Sequence, residues 1–518
     1  MNPRWTLPGG MLLAFAWHAA LRLHGLRLPL LSDEGEYAYA ARVWSAGGLP
    51  YRDVFNQKPP MTIALYRLCA ALSSSPQAPR YAAILAVFLT ALALLLLSPK
   101  RWSPAARLAA PLAYCVLSTT PVGDFGFAAN TEVFAAALTA WCVWAASRAA
   151  DSRAPWWSLA SGLLAGAAIM TKQTALWPVL AAGVLTVWRG GRRFDARAAA
   201  SFAASAAVVP LTWAGYFWAR GGLGALWECT ASGNMRYASL AGFSTVFEQG
   251  RFFAMELAPD FLKASAPAWL LAFAGLRGLK TSWENRGELT AVLWLAGALL
   301  AAATGLLLFP HYFLQAAPPL SLAAAYGVER LGRRSSRWAW AGLAALALIP
   351  AAAQADFYFA KSPESVAKDL LYPSPLLEAR WLGGWLKENA PPGRPIWVFG
   401  SEPQIYWYSG LRAATRHDFV YPLTMFPKNS APLEAELADL LVAKPSFVVY
   451  INQPVSTLIG SMLGLRFRDH IRNWLETDYR LVGFVPVGRD PAPVALMPAS
   501  RADWRVADRI YVFARAKP

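Results

Sequence analysis

The stretch Leu31–Pro60 reads LSDEGEYAYAARVWSAGGLPYRDVFNQKPP and follows the first apolar segment of the chain. It opens with two adjacent carboxylates, Asp33 and Glu34, continues through an amphipathic segment, Glu36–Trp44, and closes with Lys58 before two prolines. Acids at the boundary of a membrane, with a cation further along the same loop, suit chemistry on a molecule with an anionic head and an apolar tail. The structural alternative is a solvated loop whose acids cap a helix.

The composition around this stretch is that of a membrane protein. Of the 518 residues, 56% are hydrophobic and only 15% are charged, whereas about a quarter of the residues in soluble domains are charged. Apolar runs such as Tyr81–Leu97 and Ala291–Phe309 have the length that spans a bilayer. The sequence therefore predicts a polytopic α-helical membrane protein.

The basic residues define the predicted topology. The formal net charge is +17, but the Lys and Arg residues lie mainly in short clusters between apolar segments. This pattern orients membrane helices and does not indicate a nucleic-acid partner. The four cysteines form no paired motif, and no Cys/His array indicates structural zinc. The N-terminal apolar segment lacks a small-residue cleavage site, so we expect it to act as an anchor.

Placing every basic cluster on the cytoplasmic side gives about 11 transmembrane helices within residues 1–353. The first, about Leu7–Leu26, leads outward and delivers Asp33 to the extracytoplasmic face. The short stretch Met61–Leu72 carries Arg67, so it is predicted to lie in the interface instead of crossing. If it crossed, every later basic cluster would lie on the wrong side. The expected location is the inner (plasma) membrane.

Residues 354–518 are predicted to form a separate extracytoplasmic mixed α/β domain, because charges return and the apolar runs shorten. Short runs rich in β-branched and aromatic residues predict buried strands. The predicted strands are Pro395–Phe399, Ser446–Ile451, Arg480–Pro486 and Arg509–Phe513, and the predicted helices are Leu376–Asn389 and Pro432–Ala443.

This topology gathers polar residues at one membrane surface, where acids near cations predict a cleft for a charged substrate. These residues also have purely structural interpretations. For example, Glu132 could be an acid favoured in the first turn of a helix, Arg236 could form a local salt bridge, and His311 could be an interfacial histidine. The gathered residues are Asp33, Glu34, Lys58, Asp124, Glu132, Lys172, Arg236, Tyr237, His311, Tyr312 and Gln315.

The order of these features resembles the GT-C fold glycosyltransferases of the protein O-mannosyltransferase and aminoarabinose-transferase type, often called family 39-like. The matching features are Asp33-Glu34 after the first helix, Lys58-Pro59-Pro60 at the end of the first outer loop, and HYFLQAAPPLSLAAA from His311 to Ala325. An acid-bearing second outer loop and a helix ending in Thr171-Lys172 also fit. The resemblance covers the predicted membrane part and does not extend to the C-terminal domain.

The resemblance implies a sugar donor on a polyprenyl phosphate and an acceptor that is a glycan, a lipid or a protein. By this resemblance Asp33 is the general base, Glu34 its neighbour in the acidic pair, and Lys58 the group that binds the lipid phosphate. The expected catalytic residues are Asp33, Glu34 and Glu132. Asp124 and Glu132 both remain candidates for the second acidic position. Glu132 is favoured because Asn130-Thr131-Glu132 begins a helix that faces the predicted cleft.

The chemistry is reasonable on independent grounds. A glycosyl phosphate is already activated, so a cation that offsets charge on the leaving phosphate and a base that deprotonates the acceptor are sufficient. A single displacement of this kind inverts the anomeric centre. Lys172, Arg236, Tyr237, His311 and Asp124 are further candidates for substrate binding.

Two points stay open at this stage. Some relatives with this fold use a divalent cation, but the acids here are too few and too dispersed to assign metal ligands. A membrane transporter or lipid flippase is the alternative function, although such proteins usually show broken helices at midplane and pseudo-symmetric halves. A degenerate relative acting as an assembly subunit is a third possibility. The sequence contains no internal repeat, and its informative charges lie at one predicted face.

Overall fold

The structure is a computed structural model, and the region that it describes includes most of the chain. The described residues are 3–120, 126–152, 154–189, 193–239, 247–248, 250–251, 255, 258–276, 286–305, 308–369, 371–425, 427, 429–489, 493–500 and 504–516.

The first two thirds of the chain are helical. Their helices are α1 Pro3–Gly25, α2 Ser32–Ser45, α3 Pro60–Leu72, α4 Ala78–Leu97, α5 Pro104–Leu117, α6 Thr131–Asp151, α7 Trp156–Thr171, α8 Leu176–Val187, α9 Ala196–Ala219, α10 Leu223–Trp227, α11 Gly233–Ser239, α12 Ala258–Gly275, α13 Arg286–Ala303, α14 Ala317–Arg334 and α15 Ser336–Ala353. Two antiparallel strands of two residues each, β1 Trp188–Arg189 and β2 Arg193–Phe194, follow α8. A 3-10 turn, Pro310–Gln315, precedes α14.

Each predicted membrane span overlaps a helix in the structure, although the span predicted to run to Phe309 corresponds to a helix that ends at Ala303. Four described helices, α4, α6, α9 and α13, are long and apolar enough to cross a membrane, and shorter apolar helices accompany them. Helix α3 has 13 residues and therefore extends only about 20 Å, which is less than the ~30 Å hydrocarbon core of a bilayer. Its interfacial placement and the number of crossings stay predictions, because helix length alone does not settle either.

Small residues bring the helices close together. A Cβ added to Gly166 of α7 would collide with the carbonyl group of Ala206 in α9, and one added to Gly327 of α14 would collide with the backbone of α12 at Leu271. Such close approach is how helices pack tightly in a bilayer, where burial of apolar side chains gives little drive for association.

The C-terminal region contains a four-stranded mixed sheet in the order β3-β4-β6-β5. Strands β3 and β4 are parallel, whereas β6 is antiparallel to both β4 and β5. Its elements are α16 Pro363–Asp369, α17 Leu376–Asn389, β3 Ile396–Phe399, α18 Gln404–Ser409, α19 Tyr421–Thr424, α20 Ala431–Ala443, β4 Phe447–Ile451, α21 Pro454–Thr457, α22 Met462–Asp478, β5 Tyr479–Pro486 and β6 Arg509–Arg515. The four predicted strands and the two predicted helices are confirmed within two residues at each end.

The C-terminal region packs directly on α2. Gly35 permits this contact, because a Cβ there would lie 2.5 Å from the backbone nitrogen of Gln404. The Ala413 N–H donates to Tyr39 Oη at 2.7 Å, and the Phe55 N–H donates to the Arg416 carbonyl at 2.7 Å. The boundary predicted between residues 353 and 354 stays a prediction, but residues on both sides of it share a buried interface beside Asp33.

Candidate active site

Glu34 lies at the start of α2 and is fully buried. Its carboxylate accepts hydrogen bonds from Arg80 Nε at 2.8 Å, from the Ala129 N–H at 2.8 Å and from the Leu31 N–H at 3.0 Å. Arg80, in the first turn of α4, also donates to the carbonyls of Gly25, Leu28 and Pro29. This buried ion pair joins the end of α1, the start of α2 and the segment before α6, so it holds the neighbouring Asp33 in place.

Asp33 has a different environment from its neighbour. Its side chain is 30% exposed, accepts a hydrogen bond from Tyr37 Oη at 3.0 Å, and lies 3.9 Å from Lys58 Nζ. The adjacent acids therefore point to separate partners, one buried and one accessible. An accessible carboxylate beside a cation can receive a proton from an incoming hydroxyl group, whereas the enclosed Glu34 cannot.

Lys58 is held by the loop that precedes α3. Its backbone N–H donates to Asn56 Oδ1, and its carbonyl accepts from Tyr51 Oη, both at 2.8 Å. Tyr51 itself has a φ of 73°, a left-handed conformation that non-glycine residues rarely adopt. Pro59 and Pro60 then begin α3 and leave the Lys58 side chain, 20% exposed, directed towards Asp33.

A second charged cluster is formed by residues far apart in sequence. Glu132, in the first turn of α6, forms a buried ion pair with Lys172 at the end of α7. His311 Nε2, in the 3-10 turn, lies 3.9 Å from Glu132 Oε1. The ammonium group of Lys172 also lies 4.4 Å from the centre of the Tyr312 ring, as in a cation–π contact.

Direct contacts and charge connect the two clusters. Gln173 Nε2 donates to the Gln57 carbonyl at 2.9 Å, so the end of α7 contacts the loop that bears Lys58. Lys58 interacts electrostatically with both Glu132 and Lys172, and Asp33 interacts with Lys172. The structure thus brings together the predicted Asp33, Glu34, Lys58, Glu132, Lys172 and His311. The space beside the partly exposed side chains of Asp33, Lys58 and His311 is here called the cleft.

The remaining predicted residues are less informative. Asp124 and the side chain of Tyr237 lie outside the described residues. Arg236 lies on α11, whose Asn234 donates to the Gln57 carbonyl at 3.0 Å, and Gln315 donates to Thr174 Oγ1 at 3.1 Å. Arg80 was missed, although a cation in the first turn of an otherwise apolar helix is a detectable signal.

An apolar pocket lies beside the 3-10 turn that carries His311. Its walls are formed by α12, by α14, by the end of α5 and the residues that follow it, and by the 3-10 turn itself. The lining residues are Leu117, Thr120, Phe261, Ser265, Trp269, Phe313, Ala316, Ala317 and Leu320. Its walls suit a hydrocarbon chain.

No group of three or more His, Cys, Asp or Glu side chains within the described ranges is arranged to hold a metal. Whether the protein uses a divalent cation therefore stays as open as it was in the sequence analysis.

Glu402 follows β3 and is a further buried acid near this interface. It accepts a hydrogen bond from Ser456, and burial raises its pKa from an ordinary 4.5 to about 7. Because the unfolded chain releases this proton near pH 4.5 and the folded chain near 7, stability should fall as pH rises between these values. We expect Glu402→Gln to remove this pH dependence of the free energy of unfolding, which amounts to about 3 kcal/mol above neutral pH.

Apparent unfolding temperatures of the purified protein between pH 4 and pH 8.5 would measure this effect. Glu434→Gln, at an exposed position of α20, is the control. Parallel pH profiles for Glu402→Gln and the unmodified protein would contradict the assignment.

Comparisons with known proteins show which family model and which solved structures this chain resembles. Residues 57–217 match the family model described as dolichyl-phosphate-mannose-protein mannosyltransferase. The structure is similar to that of ArnT from Cupriavidus metallidurans in the apo state, with 14% sequence identity, a TM-score of 0.58 and 98% of each chain covered. It is also similar to ArnT from the same organism bound to undecaprenyl phosphate, with 13% sequence identity, a TM-score of 0.55, and 100% of this chain and 99% of that chain covered. A third similar structure is that of the oligosaccharyltransferase from Archaeoglobus fulgidus in the apo form, with 12% sequence identity, a TM-score of 0.54, and 98% of this chain and 76% of that chain covered.

A search of curated protein sequences found no match. The predicted resemblance to GT-C glycosyltransferases is confirmed by the family model and by the fold. The family match includes Lys58, Glu132 and Lys172 but begins after Asp33, so the assignment of a base there depends on this chain's own geometry.

Proposed function

We propose that this protein transfers a sugar from a polyprenyl-phosphate donor to an acceptor at the extracytoplasmic face of the inner membrane, with inversion at the anomeric carbon. The observation that carries the proposal is the accessible Asp33 carboxylate 3.9 Å from Lys58, in a cleft that also contains Lys172 and His311. One site thus contains both a base and cations, which a glycosyl phosphate requires.

The cations support binding of the lipid phosphate. Negative charge accumulates on the phosphate as the glycosidic bond breaks, and a fixed ammonium group stabilises that charge. Lys58 is the main candidate, and Lys172 and His311 extend the positive region. The apolar pocket would hold part of the prenyl chain. The similar ArnT structure bound to undecaprenyl phosphate supports a donor of this class.

In the reaction, an acceptor hydroxyl group gives its proton to Asp33 while its oxygen attacks the anomeric carbon. The bond from that carbon to the phosphate oxygen breaks, and polyprenyl phosphate leaves with the bonding electron pair. Glu34 and Arg80 act as positioning residues, because their atoms are enclosed and paired with each other. Glu132 has the same kind of role: its buried carboxylate holds Lys172 at the cleft.

The direct test uses purified protein in lipid nanodiscs with a panel of polyprenyl-phosphate sugars and membrane extract as the acceptor source. Release of free polyprenyl phosphate, above the level of an Asp33→Asn control, is the expected result and identifies the sugar. If no donor in the panel is consumed although each binds, the protein is not a transferase of this class, and the transporter alternative gains support.

Replacing Lys58 with alanine should weaken binding of polyprenyl phosphate by about ten- to a hundredfold, since a hydrogen bond to a charged group contributes roughly 1.5–3 kcal/mol. Turnover should fall as well, because the same charge stabilises the leaving group. Binding of undecaprenyl phosphate to the variant in nanodiscs measures the effect. Lys387→Ala, at an exposed position of α17, should bind normally, and unchanged binding by Lys58→Ala would exclude the assigned role.

A further inference from the structure

Three buried polar side chains lie where the C-terminal region contacts α2: Glu36, Gln404 and Asp418, here called the polar junction. Gln404 and Asp418 are fully buried, and Glu36 is 3% exposed. Both carboxylate oxygens of Asp418, both terminal atoms of Gln404 and Oε1 of Glu36 have no hydrogen-bond partner on another of the described residues. Five buried polar atoms at one interface are therefore unsatisfied.

The junction borders the cleft that contains Asp33. A Cβ on Gly35, next to Glu36, would lie 2.7 Å from Cβ of Gln404, so α2 and α18 touch at this level. The charges of Asp33, Asp418 and Lys58 all act on Glu36. Glu36 is thus within electrostatic range both of the proposed base and phosphate-binding lysine and of the acid from the C-terminal region.

The sheet places the two C-terminal members of the junction. Gln404 begins the helix that follows β3, and the Val420 N–H, two residues after Asp418, donates to the Gly400 carbonyl at the end of β3. Both residues therefore lie near the carboxyl end of β3, which pairs in parallel with β4. Ligand sites in sheets with parallel strands commonly form at that end.

A purely structural role does not account for this arrangement. Nearby Glu436, also buried, accepts hydrogen bonds from Thr415 and Trp397 and contacts His417 Nδ1 at 2.7 Å. The same region thus satisfies a buried acid when that acid serves the fold. An unsatisfied buried polar group costs about 1–3 kcal/mol, so a set of them at one interface indicates groups that water or a ligand satisfies.

We propose that the polar junction binds the hydroxyl-bearing ring of a sugar beside Asp33 and discriminates against rings that carry a carboxylate or phosphate. The inference rests on the proposed function. Hydroxyl groups both donate and accept hydrogen bonds, which matches an amide and two acids. An anionic ring would bring a further negative charge next to Asp33 and into a buried site, where the desolvation that acts on Glu36 and Asp418 also disfavours an added anion. Burial raises the pKa of both Glu36 and Asp418, so each can act as a donor as well as an acceptor.

The ring could belong to the donor or to the acceptor, and two binding measurements in nanodiscs distinguish these sources. The first compares the affinity for undecaprenyl-phosphate glucose with that for undecaprenyl phosphate alone. The second measures binding of free glucose, and of glucuronic acid as the anionic analogue, to protein saturated with undecaprenyl phosphate. The variants are Asp418→Asn and Glu36→Gln, with Gln404→Met as a further variant and Asp469→Asn, at an exposed site, as the control.

In the unmodified protein, the sugar should increase affinity by about tenfold in one of the two measurements, and glucuronic acid should give no increase. Gln404→Met, which removes both hydrogen-bonding atoms, should abolish that increase without changing the affinity for undecaprenyl phosphate alone, whereas Asp418→Asn and Glu36→Gln, whose amides still donate and accept, should retain it. The unfolding temperatures of Asp418→Asn and Gln404→Met should not fall, because the replaced atoms have no hydrogen-bond partner on another residue in the part of the chain that the structure describes.

An unchanged sugar-dependent increase in all variants would overturn the inference, as would an increase that disappears when EDTA is added, since a cation would then occupy the junction. These readouts do not require turnover. An unmodified protein that shows the increase but transfers no sugar would contradict the proposed function alone.

Discussion

Asp33→Asn is expected to reduce sugar transfer by about two to four orders of magnitude, the usual contribution of a general base. The amide cannot accept the acceptor's proton, but its oxygen can still accept the hydrogen bond from Tyr37 Oη, now 3.0 Å away. The side chain is 30% exposed, so no buried charge is left unpaired by the change. Fold and donor binding should therefore remain close to those of the unmodified protein.

The measurement is release of polyprenyl phosphate under single-turnover conditions, with donor affinity determined in the same nanodiscs. Asp469→Asn, at an exposed site of α22, should retain full activity. Near-normal turnover by Asp33→Asn would show that another group accepts the proton. Loss of donor binding together with turnover would instead show that Asp33 mainly positions Lys58.

The second large effect is expected from Arg80→Met, which should destabilise the protein by about 3–5 kcal/mol, as when one partner of a buried ion pair is removed. The substitution leaves the Glu34 carboxylate buried without its cation, and it leaves the carbonyls of Gly25, Leu28 and Pro29 without a donor. Because these groups position Asp33, any protein that still folds should also lose activity.

Thermal unfolding in detergent, followed by size-exclusion chromatography, would measure this loss. Arg52→Met is the matched control, because Arg52 pairs with Asp53 at the surface, where its side chain is 52% exposed, and such pairs contribute about 0–1 kcal/mol. The double variant Glu34→Gln with Arg80→Met should be more stable than Arg80→Met alone, since no buried charge remains. Equal unfolding temperatures for Arg80→Met and the unmodified protein would contradict the proposed role.

Much of the fold could be predicted because its determinants are local. Apolar runs between basic clusters located the helices, and short runs such as PIWVF located β3 and the other strands of the sheet. Asp33, Lys58 and Glu132 could be grouped because each lies at the end of a helix or loop on the same predicted face. That grouping depended on topology and not on knowledge of any contact.

Other features could not be predicted because their partners are distant in sequence. Glu34 looked like a second catalytic acid beside Asp33, but it binds Arg80, 46 positions further on. The polar junction joins Glu36 to residues nearly four hundred positions later, and no pattern in either segment indicates that they meet.

The sequence alone determined that the chain is largely helical and apolar, that strands and helices alternate in its C-terminal part, and that acids and cations lie at the ends of predicted helices on one face. These properties follow from hydrophobic periodicity and charge placement, which each segment carries by itself. Only the tertiary structure decided which acid is enclosed and which is accessible. Burial and hydrogen-bond satisfaction depend on what packs against a side chain, and for Glu34 and Asp418 those neighbours come from elsewhere in the chain.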